Sequence, residues 1–322
     1  MRVLRSVGLL GLYVGAQLVA LALALPFKSA GLATTANPNS PTSPLFIIAA
    51  VVVAPLLILW FVRRKGGLAT LRAVLLIAIA ASLNLTLYYT LELLLPASQF
   101  IPPAQAGLLF DPAGTLAAVI AVTILLALWI EPQWYVVDAA GFLAAGALIA
   151  LLGISFGILP VFILLLVLAL YDAIAVYRTK HMVSLADVVT EMRLPILMVM
   201  PSSAGYDYTH APTLNEQRSR PVEEREATFM GLGDVVIPGA LVVSAFIWLP
   251  THPVVLGVGA NLWAALAAIA GSLVGYGLLM RRAASGNPQA GLPFLNGGGL
   301  AGYILAYLLL FHQVGLGFRL SF

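Results

Sequence analysis

The chain has 322 residues, of which 61% are hydrophobic and only 9% are charged. Soluble domains contain about 45–50% apolar and about 25% charged residues, so this composition excludes a soluble globular protein and indicates an integral membrane protein. The net charge of +3 is too small to predict a nucleic-acid partner. The absence of cysteine excludes disulfides, thiolate nucleophiles and Cys-ligated zinc, and the four histidines form no His-Glu-x-x-His zinc site.

Long apolar segments occur along the whole chain. A helix needs about 20 apolar residues to cross the hydrocarbon core of a bilayer, and on that measure we predict nine transmembrane helices in an all-α polytopic membrane protein. They are predicted at 4–25, 45–62, 71–95, 114–130, 134–152, 159–177, 231–249, 254–280 and 292–311. The first segment follows Arg2 and Arg5, as in a signal peptide, but its apolar run exceeds the ~7–15 residues of a signal-peptide core. We expect it to be a retained helix.

The distribution of positive charge supports this number of helices. Placing the N-terminus and every second loop on one side collects fourteen of the sixteen Lys and Arg residues there, and leaves only Lys28 and Arg319 on the other side. Because positively charged loops remain in the cytoplasm, we predict a cytoplasmic N-terminus and an extracellular C-terminus. The protein is then a multi-pass protein of the cell membrane.

The longest charged segment, residues 178–230, separates the sixth and seventh predicted helices and is predicted to lie in the cytoplasm. Residues 182–200 alternate apolar and polar side chains and predict a short interfacial helix broken at Pro195. Residues 201–225 are polar and contain several prolines, so we expect them to be mobile. No internal repeat and no second domain are recognisable, and residues 1–322 are predicted to form a single membrane-embedded domain.

Two aspartates lie within apolar segments at matching depth. Asp172 follows Tyr171 in the sixth predicted helix, six residues before Arg178, and Asp234 ends the sequence Gly231-Leu232-Gly233-Asp234 at the start of the seventh. At a rise of 1.5 Å per residue, both carboxylates lie about 9–12 Å inside the cytoplasmic boundary. A carboxylate within a membrane span is unfavourable by about 2.5–3.5 kcal/mol, which makes each aspartate a functional candidate.

The two carboxyls have a definite chemistry if they meet. Two carboxyls a few ångströms apart share one proton, because ionising both is unfavourable. The ionised member can act as a general base on water while the protonated member polarises a carbonyl, as in aspartic proteases. Gly231 and Gly233 would permit a close backbone approach beside Asp234, and Tyr171 would supply a hydroxyl or an aromatic wall.

These motifs resemble those of a known family. Tyr171-Asp172 on one helix and Gly231-Leu232-Gly233-Asp234 on the next, in a nine-helix protein with its N-terminus inside, are similar to the presenilin and signal-peptide-peptidase intramembrane aspartyl proteases, most closely to the archaeal presenilin homologues. The resemblance implies that Asp172 and Asp234 are catalytic and that the substrates are single-span membrane proteins or peptides in the lipid bilayer. It also implies that no metal or cofactor takes part. The oligomeric state is left open.

A third family signature, Pro-Ala-Leu at the start of the last helix, corresponds to Ala290-Gly291-Leu292-Pro293, with Ala and Gly in place of Pro and Ala. Together with Tyr171, Gly231, Leu232 and Gly233, these four residues are predicted to bind substrate. Pro288 and Pro293 disfavour helix in the residues before them. We therefore expect residues 286–293 to be extended, to pair with an unwound substrate strand and to direct Leu292 at the two aspartates. The alternative is a plain connector into the last helix.

Two other classes of protein are also compatible with a buried aspartate pair. One is a proton- or cation-coupled transporter that uses Asp172 and Asp234 as a relay, although such transporters usually contain inverted repeats and paired broken helices, which the sequence lacks. The other is a non-catalytic scaffold, which leaves the unfavourable carboxylates unexplained. Asp138, in the fifth predicted helix, is expected to be hydrated near the cytoplasmic side. A contact with the site is its second possible role.

Overall fold

The computed structural model describes residues 2–62, 64, 67–94, 112–179, 193–203, 205–212, 216–217, 220–221, 224–283 and 289–319. Within these residues the chain forms nine long helices and two small two-stranded sheets. The helices are α1 (Arg2–Ser29), α2 (Leu45–Val62), α3 (Gly67–Leu94), α4 (Pro112–Ile130), α5 (Trp134–Ser155), α6 (Ile158–Tyr177), α7 (Leu232–Trp248), α8 (Ala260–Ala283) and α9 (Leu292–Phe311). The strands are β1 (Leu197–Pro201), β2 (Ala227–Gly231), β3 (Val254–Val255) and β4 (Val258–Gly259).

The helices correspond closely to the predicted membrane spans. Eight of the described helices have at least 18 residues and are apolar enough to cross a membrane, whereas α7 is apolar but has only 17 residues. The predicted boundaries agree to the residue for α2 and α9. A mostly helical, multi-pass integral membrane protein is therefore confirmed.

The helix α8 begins later than predicted. The sequence predicts a helix from residue 254, but Val254–Val255 and Val258–Gly259 form an antiparallel hairpin, and α8 begins at Ala260. Leu256 and Gly257, between the two strands, have φ values of 53° and 77°. Positive φ at both central residues is typical of a two-residue hairpin turn. The prediction was wrong for residues 254–259 because their apolar composition suits a strand as well as a helix.

A second sheet leads directly into α7. β1 pairs antiparallel with β2, from Leu197 opposite Gly231 to Pro201 opposite Ala227. The backbone N–H of Leu232 donates to Ile196 O at 2.8 Å, which extends the pairing to the first residue of α7. The predicted interfacial helix is therefore wrong for residues 197–200, and residues 182–192 lie outside the described residues. The alternating pattern fits a strand once β2 supplies a partner.

Two tyrosines within residues 201–225 are buried. Tyr208 is fully buried, and the Arg193 guanidinium lies over its ring at 4.7 Å from the centroid. Burial raises the pKa of Tyr208 to about 12. Tyr206 is also buried, and its hydroxyl accepts a hydrogen bond from Gln217 at 3.2 Å. The two tyrosine rings supply apolar area that a count of polar residues overlooks. The mobility of the segment stays a prediction.

Helix α7 lies at the centre of the bundle. Every residue from 235 to 245 is buried, and a helix that is buried all round must have neighbours on every side. It packs against α1 and α5 and against α6, α8 and α9. Its first turn, which contains Asp234, is thereby placed among the ends of several helices.

Helices α8 and α9 pack with their backbones in contact. A Cβ atom on Gly271 would lie 2.1 Å from Gly298 O, and one on Gly302 would lie 2.2 Å from Ala267 O. Glycine permits this approach because it has no side chain, as is common between helices in membranes. The contact fixes the position of α9 along α8, and with it the position of the first turn of α9.

Candidate active site

Asp172 is anchored to the start of α9. It lies on α6, before the helix ends at Tyr177, and its side chain is 7% exposed. Its Oδ2 atom accepts a hydrogen bond from the Leu292 backbone N–H at 3.1 Å, and the Gly291 amide lies beside the same carboxylate. The first amides of a helix have no partner within the helix and favour a negative charge nearby. The α9 N-terminus is therefore a suitable neighbour for Asp172.

Asp234 lies in the first turn of α7, directly after β2. Gly231, the residue that precedes the helix, is extended, with φ −65° and ψ 137°, and provides no side-chain cap. The Asp234 carboxylate folds back toward it, so that Oδ2 would lie 3.4 Å from a Cβ on Gly231. Asp234 is partly buried. The β1–β2 sheet therefore leads into α7 directly beside Asp234.

Gly291 brings the two carboxylates to one point. A Cβ on Gly291 would lie 2.7 Å from Asp234 Oδ2 and 2.8 Å from its Cγ and Oδ1, so the Asp234 carboxylate rests against the Gly291 backbone. Asp172 is hydrogen-bonded to the next residue, Leu292. Asp234 and Asp172 therefore contact two consecutive residues at the start of α9, Gly291 and Leu292. The two acids lie close enough to interact electrostatically.

Two side chains that the sequence analysis did not single out, Tyr177 and Asn296, link α6 to the start of α9. The Tyr177 hydroxyl donates to Gln289 Oε1 at 3.0 Å and accepts from the Ala290 N–H at 3.2 Å. The buried Asn296 amide donates to Leu165 O at 2.8 Å. The available sequence signal was an asparagine within an apolar span, since such an amide needs a partner on a neighbouring helix.

The other residues predicted to bind substrate occupy different environments. Tyr171 is half-buried beside Asp172. The space beside Gly233 is open, because a Cβ there would meet nothing within 4 Å. Leu232 packs against a buried cluster, and the Leu292 side chain is buried in another. The Leu292 amide, and not its side chain, is therefore the group that contacts Asp172.

Residues 291–293 are helical and not extended. Gly291 has helical dihedral angles, φ −80° and ψ −45°, and α9 begins at Leu292 with Pro293 in its first turn. Proline is tolerated in a first helical turn, where its missing N–H would have no partner within the helix. The expected strand is wrong for residues 291–293, which fit the connector alternative. Residues 286–288 lie outside the described residues.

Asp138 is buried, contrary to the expectation that it is hydrated. Its side chain is 5% exposed, and Oδ1 accepts the backbone N–H of Val199 at 2.7 Å. Asp138 thereby holds β1 against α5. It also lines a cavity of about 440 Å³ between α1, α5 and β1. The sequence does not reveal that Asp138 is buried, because the sheet that covers it is formed by residues far away in the sequence.

The arrangement around Gly291 is suited to acid–base chemistry. Two carboxyls that interact share a proton and provide one acid and one base at the same place. Within the described part of the chain, no group of three or more His, Cys, Asp or Glu side chains could hold a metal ion. Activation of water is a chemistry that such an aspartate pair can supply.

The comparison with known families agrees with this chemistry. The model of the family described as signal-peptide peptidase, presenilin aspartyl protease, matches residues 10–312. The chain belongs to this family. The transporter that the sequence left open has no support from the match, and the signal-peptide peptidase/presenilin family defines the activity as that of an intramembrane aspartyl protease, an aspartic endopeptidase.

Solved structures of this family have the same fold. A presenilin family intramembrane aspartate protease in space group C222 is 29% identical, with a TM-score of 0.62, and the match covers 94% of this chain and 99% of that chain. A structure with the same description in space group P2 is 30% identical, also with a TM-score of 0.62, covering 94% of this chain and 97% of that chain. A search of curated proteins gave no significant match.

Proposed function

We propose that Asp172 and Asp234 are the catalytic dyad of this intramembrane aspartyl protease. The observation that carries the proposal is their convergence on one backbone step, where Leu292 donates to Asp172 and Gly291 lies against Asp234. Both acids project from helices, which hold catalytic groups in place more precisely than loops do.

The proposed reaction begins with one proton shared by the pair. The ionised carboxylate takes a proton from water while the water oxygen bonds to the carbonyl carbon of the scissile peptide, and the protonated carboxyl donates its proton to the carbonyl oxygen. The tetrahedral diol then breaks its C–N bond as the nitrogen receives a proton from the pair and a diol hydroxyl returns one. The products are a carboxyl group and an amine, and the dyad again carries one proton.

The substrate backbone is proposed to lie along the glycine-rich surroundings of the dyad. Gly231, Leu232 and Gly233 lead into Asp234, and the open space beside Gly233 can admit another chain. Tyr171 and the four residues from Ala290 to Pro293 complete the set. A transmembrane substrate must unwind before water can reach a peptide bond, and its freed backbone groups then need new partners. We expect single-span membrane proteins and peptides to be the substrates.

We further propose that the chain crosses the cell membrane nine times, with a cytoplasmic N-terminus and an extracellular C-terminus. The distribution of positive charge supports this orientation. Helix α7, with 17 residues, is about 26 Å long at 1.5 Å per residue, close to the ~30 Å of the hydrocarbon core. Residues 178–230 are then a cytoplasmic loop within one membrane-embedded domain.

Replacement of each aspartate by asparagine tests the dyad. Asp172→Asn and Asp234→Asn keep the side-chain shape but remove a proton-sharing carboxyl, so each purified variant should lose cleavage of a single-span peptide. Thermal unfolding should occur at an unchanged or higher temperature, because a carboxylate within the membrane is removed. Asp138→Asn is the matched control, since it changes another buried carboxylate and should retain turnover. Substantial turnover in either dyad variant would reject the assignment.

A further inference from the structure

A group of buried polar side chains lies between α1 and α8. Tyr13 and Gln17, about one turn apart on α1, are fully buried, and Ser272 on α8 is 1% exposed. Tyr13 belongs to the same buried cluster as Val235, which follows Asp234, and Leu295 in the first turn of α9. The polar group therefore lies in the same buried core as the first turns of α7 and α9.

Three atoms of this group have no hydrogen-bond partner of good geometry in the described part of the protein, namely Tyr13 Oη, Gln17 Oε1 and Gln17 Nε2. The Tyr13 hydroxyl lies near both Gln17 and Ser272, and the Ser272 hydroxyl donates its own proton to Ile269 O at 2.8 Å. Unsatisfied polar atoms are strongly unfavourable inside a membrane protein. Internal water satisfies such atoms, because a buried water molecule makes about three hydrogen bonds.

Helix α1 packs against α7, whose first turn contains Asp234, and Tyr13 shares its buried cluster with Val235, the residue after Asp234. The other titratable groups around it are Tyr276 of α8, in the same buried cluster, and Asp172 of α6, which meets the same end of α9 as Asp234. On α5, Asp138 borders the separate cavity beside β1. Among these acids, Asp234 is the one whose neighbour in the chain belongs to the cluster of Tyr13.

We propose that Tyr13, Gln17 and Ser272 hold internal water that hydrogen-bonds to Asp234, and that Tyr13 and Gln17 are positioning residues for the dyad. The hydroxyl and amide fix the water, and the water donates to the carboxylate and orients it. The same water gives Asp234 a route for exchanging protons inside the membrane. The inference rests on the proposed assignment of Asp234 to the dyad.

Radiolytic labelling of the full-length protein in detergent, carried out in ¹⁸O-water, tests the hydration independently of activity. X-ray pulses convert bound water into hydroxyl radicals that oxidise adjacent side chains. Tyr303 is the internal reference, because it is equally buried but its hydroxyl donates to Leu316 O at 2.9 Å. We expect several-fold more label on Tyr13 than on Tyr303, and loss of the excess in Gln17→Leu. Equal labelling of the two tyrosines would overturn the hydration site.

Kinetics of Tyr13→Phe test the positioning role. The variant lacks the hydroxyl that fixes the water, so the hydrogen bond from this water to the charged carboxylate is weakened. This change should lower kcat about tenfold, leave KM within about twofold, and move the acidic limb of the pH–rate profile to higher pH. Tyr303→Phe removes an equally buried hydroxyl and should leave kcat and the pH profile unchanged. If Tyr13→Phe does not fold, Gln17→Leu and Ser272→Ala provide the same readouts.

A wild-type kcat and pH profile in the Tyr13 variant would refute the positioning role. An error in the dyad assignment would have a different signature, namely cleavage by Asp234→Asn together with unchanged labelling of Tyr13. The two failures are therefore distinguishable.

Discussion

The substitution Gly291→Val tests the geometry of the site with a branched side chain, which is bulkier than the alanine of the family signature at this position. The added Cβ would lie 2.7–2.8 Å from three atoms of the Asp234 carboxylate. Ordinary van der Waals contact between such atoms is about 3.5 Å, so the carboxylate or the start of α9 must shift by about 0.7 Å. Asp172 is hydrogen-bonded to the next residue, and a shift of α9 would therefore also disturb the other acid.

The expected consequence is a loss of turnover that exceeds the loss of stability. A misplacement of about 1 Å can lower a rate about 100-fold, so we expect kcat of Gly291→Val to fall about 10- to 100-fold with little change in KM. Overpacking typically reduces the free energy of unfolding by about 1–3 kcal/mol. The variant should therefore remain folded in detergent at the assay temperature.

The assay is cleavage of a single-span peptide by the purified variant, with a thermal melt on the same sample. Gly297→Val is the matched control, because it lies on the same helix and its added Cβ would meet nothing within 4 Å. The control should keep the wild-type kcat. Wild-type turnover in Gly291→Val would refute the proposed contact between Gly291 and Asp234.

Two further predictions concern the acids. The wild-type rate should follow a bell-shaped dependence on pH. Both carboxyls are protonated on the acidic side, where no base remains, and both are ionised on the alkaline side, where no acid remains. A rate that does not vary with pH would contradict a proton-sharing pair. Asp138→Leu should have a free energy of unfolding about 1–3 kcal/mol smaller than that of Asp138→Asn, because only asparagine retains an acceptor for the Val199 N–H. The leucine variant should therefore unfold at a lower temperature. Equal melting temperatures would show that this hydrogen bond contributes nothing.

The structure gives the N-terminus of α9 a central part in the site. Leu292 and Gly291 contact the two acids, and Tyr177 and Asn296 fasten the same turn to α6. The glycine contacts between α8 and α9 fix the helix along its length. A helix without its own acid therefore holds the two acids of α6 and α7 together, and small residues are required where it touches them.

The sequence alone determined the membrane character, nearly all of the helices and the two acids. The bounds of α2 and α9 agree with prediction because hydrophobic length and the adjoining Pro and Gly residues are local properties. Asp172 and Asp234 stood out because a carboxylate in an apolar span is rare and unfavourable. Counting residues along the two helices, which are predicted to cross the membrane in opposite directions, also predicts that the two acids lie at equal depth.

Only the tertiary structure decided which side chains meet. The β1–β2 pairing, the hydrogen bond from Val199 to Asp138 and the contact of Gly291 with Asp234 join segments far apart in the sequence. Tyr13 was likewise not recognisable as part of the buried cluster that contains Val235, the residue after Asp234. The physical reason is that lipid is as apolar as the interior of a helix bundle. Hydrophobicity therefore reveals that a helix lies in the membrane, but not which of its faces meets another helix.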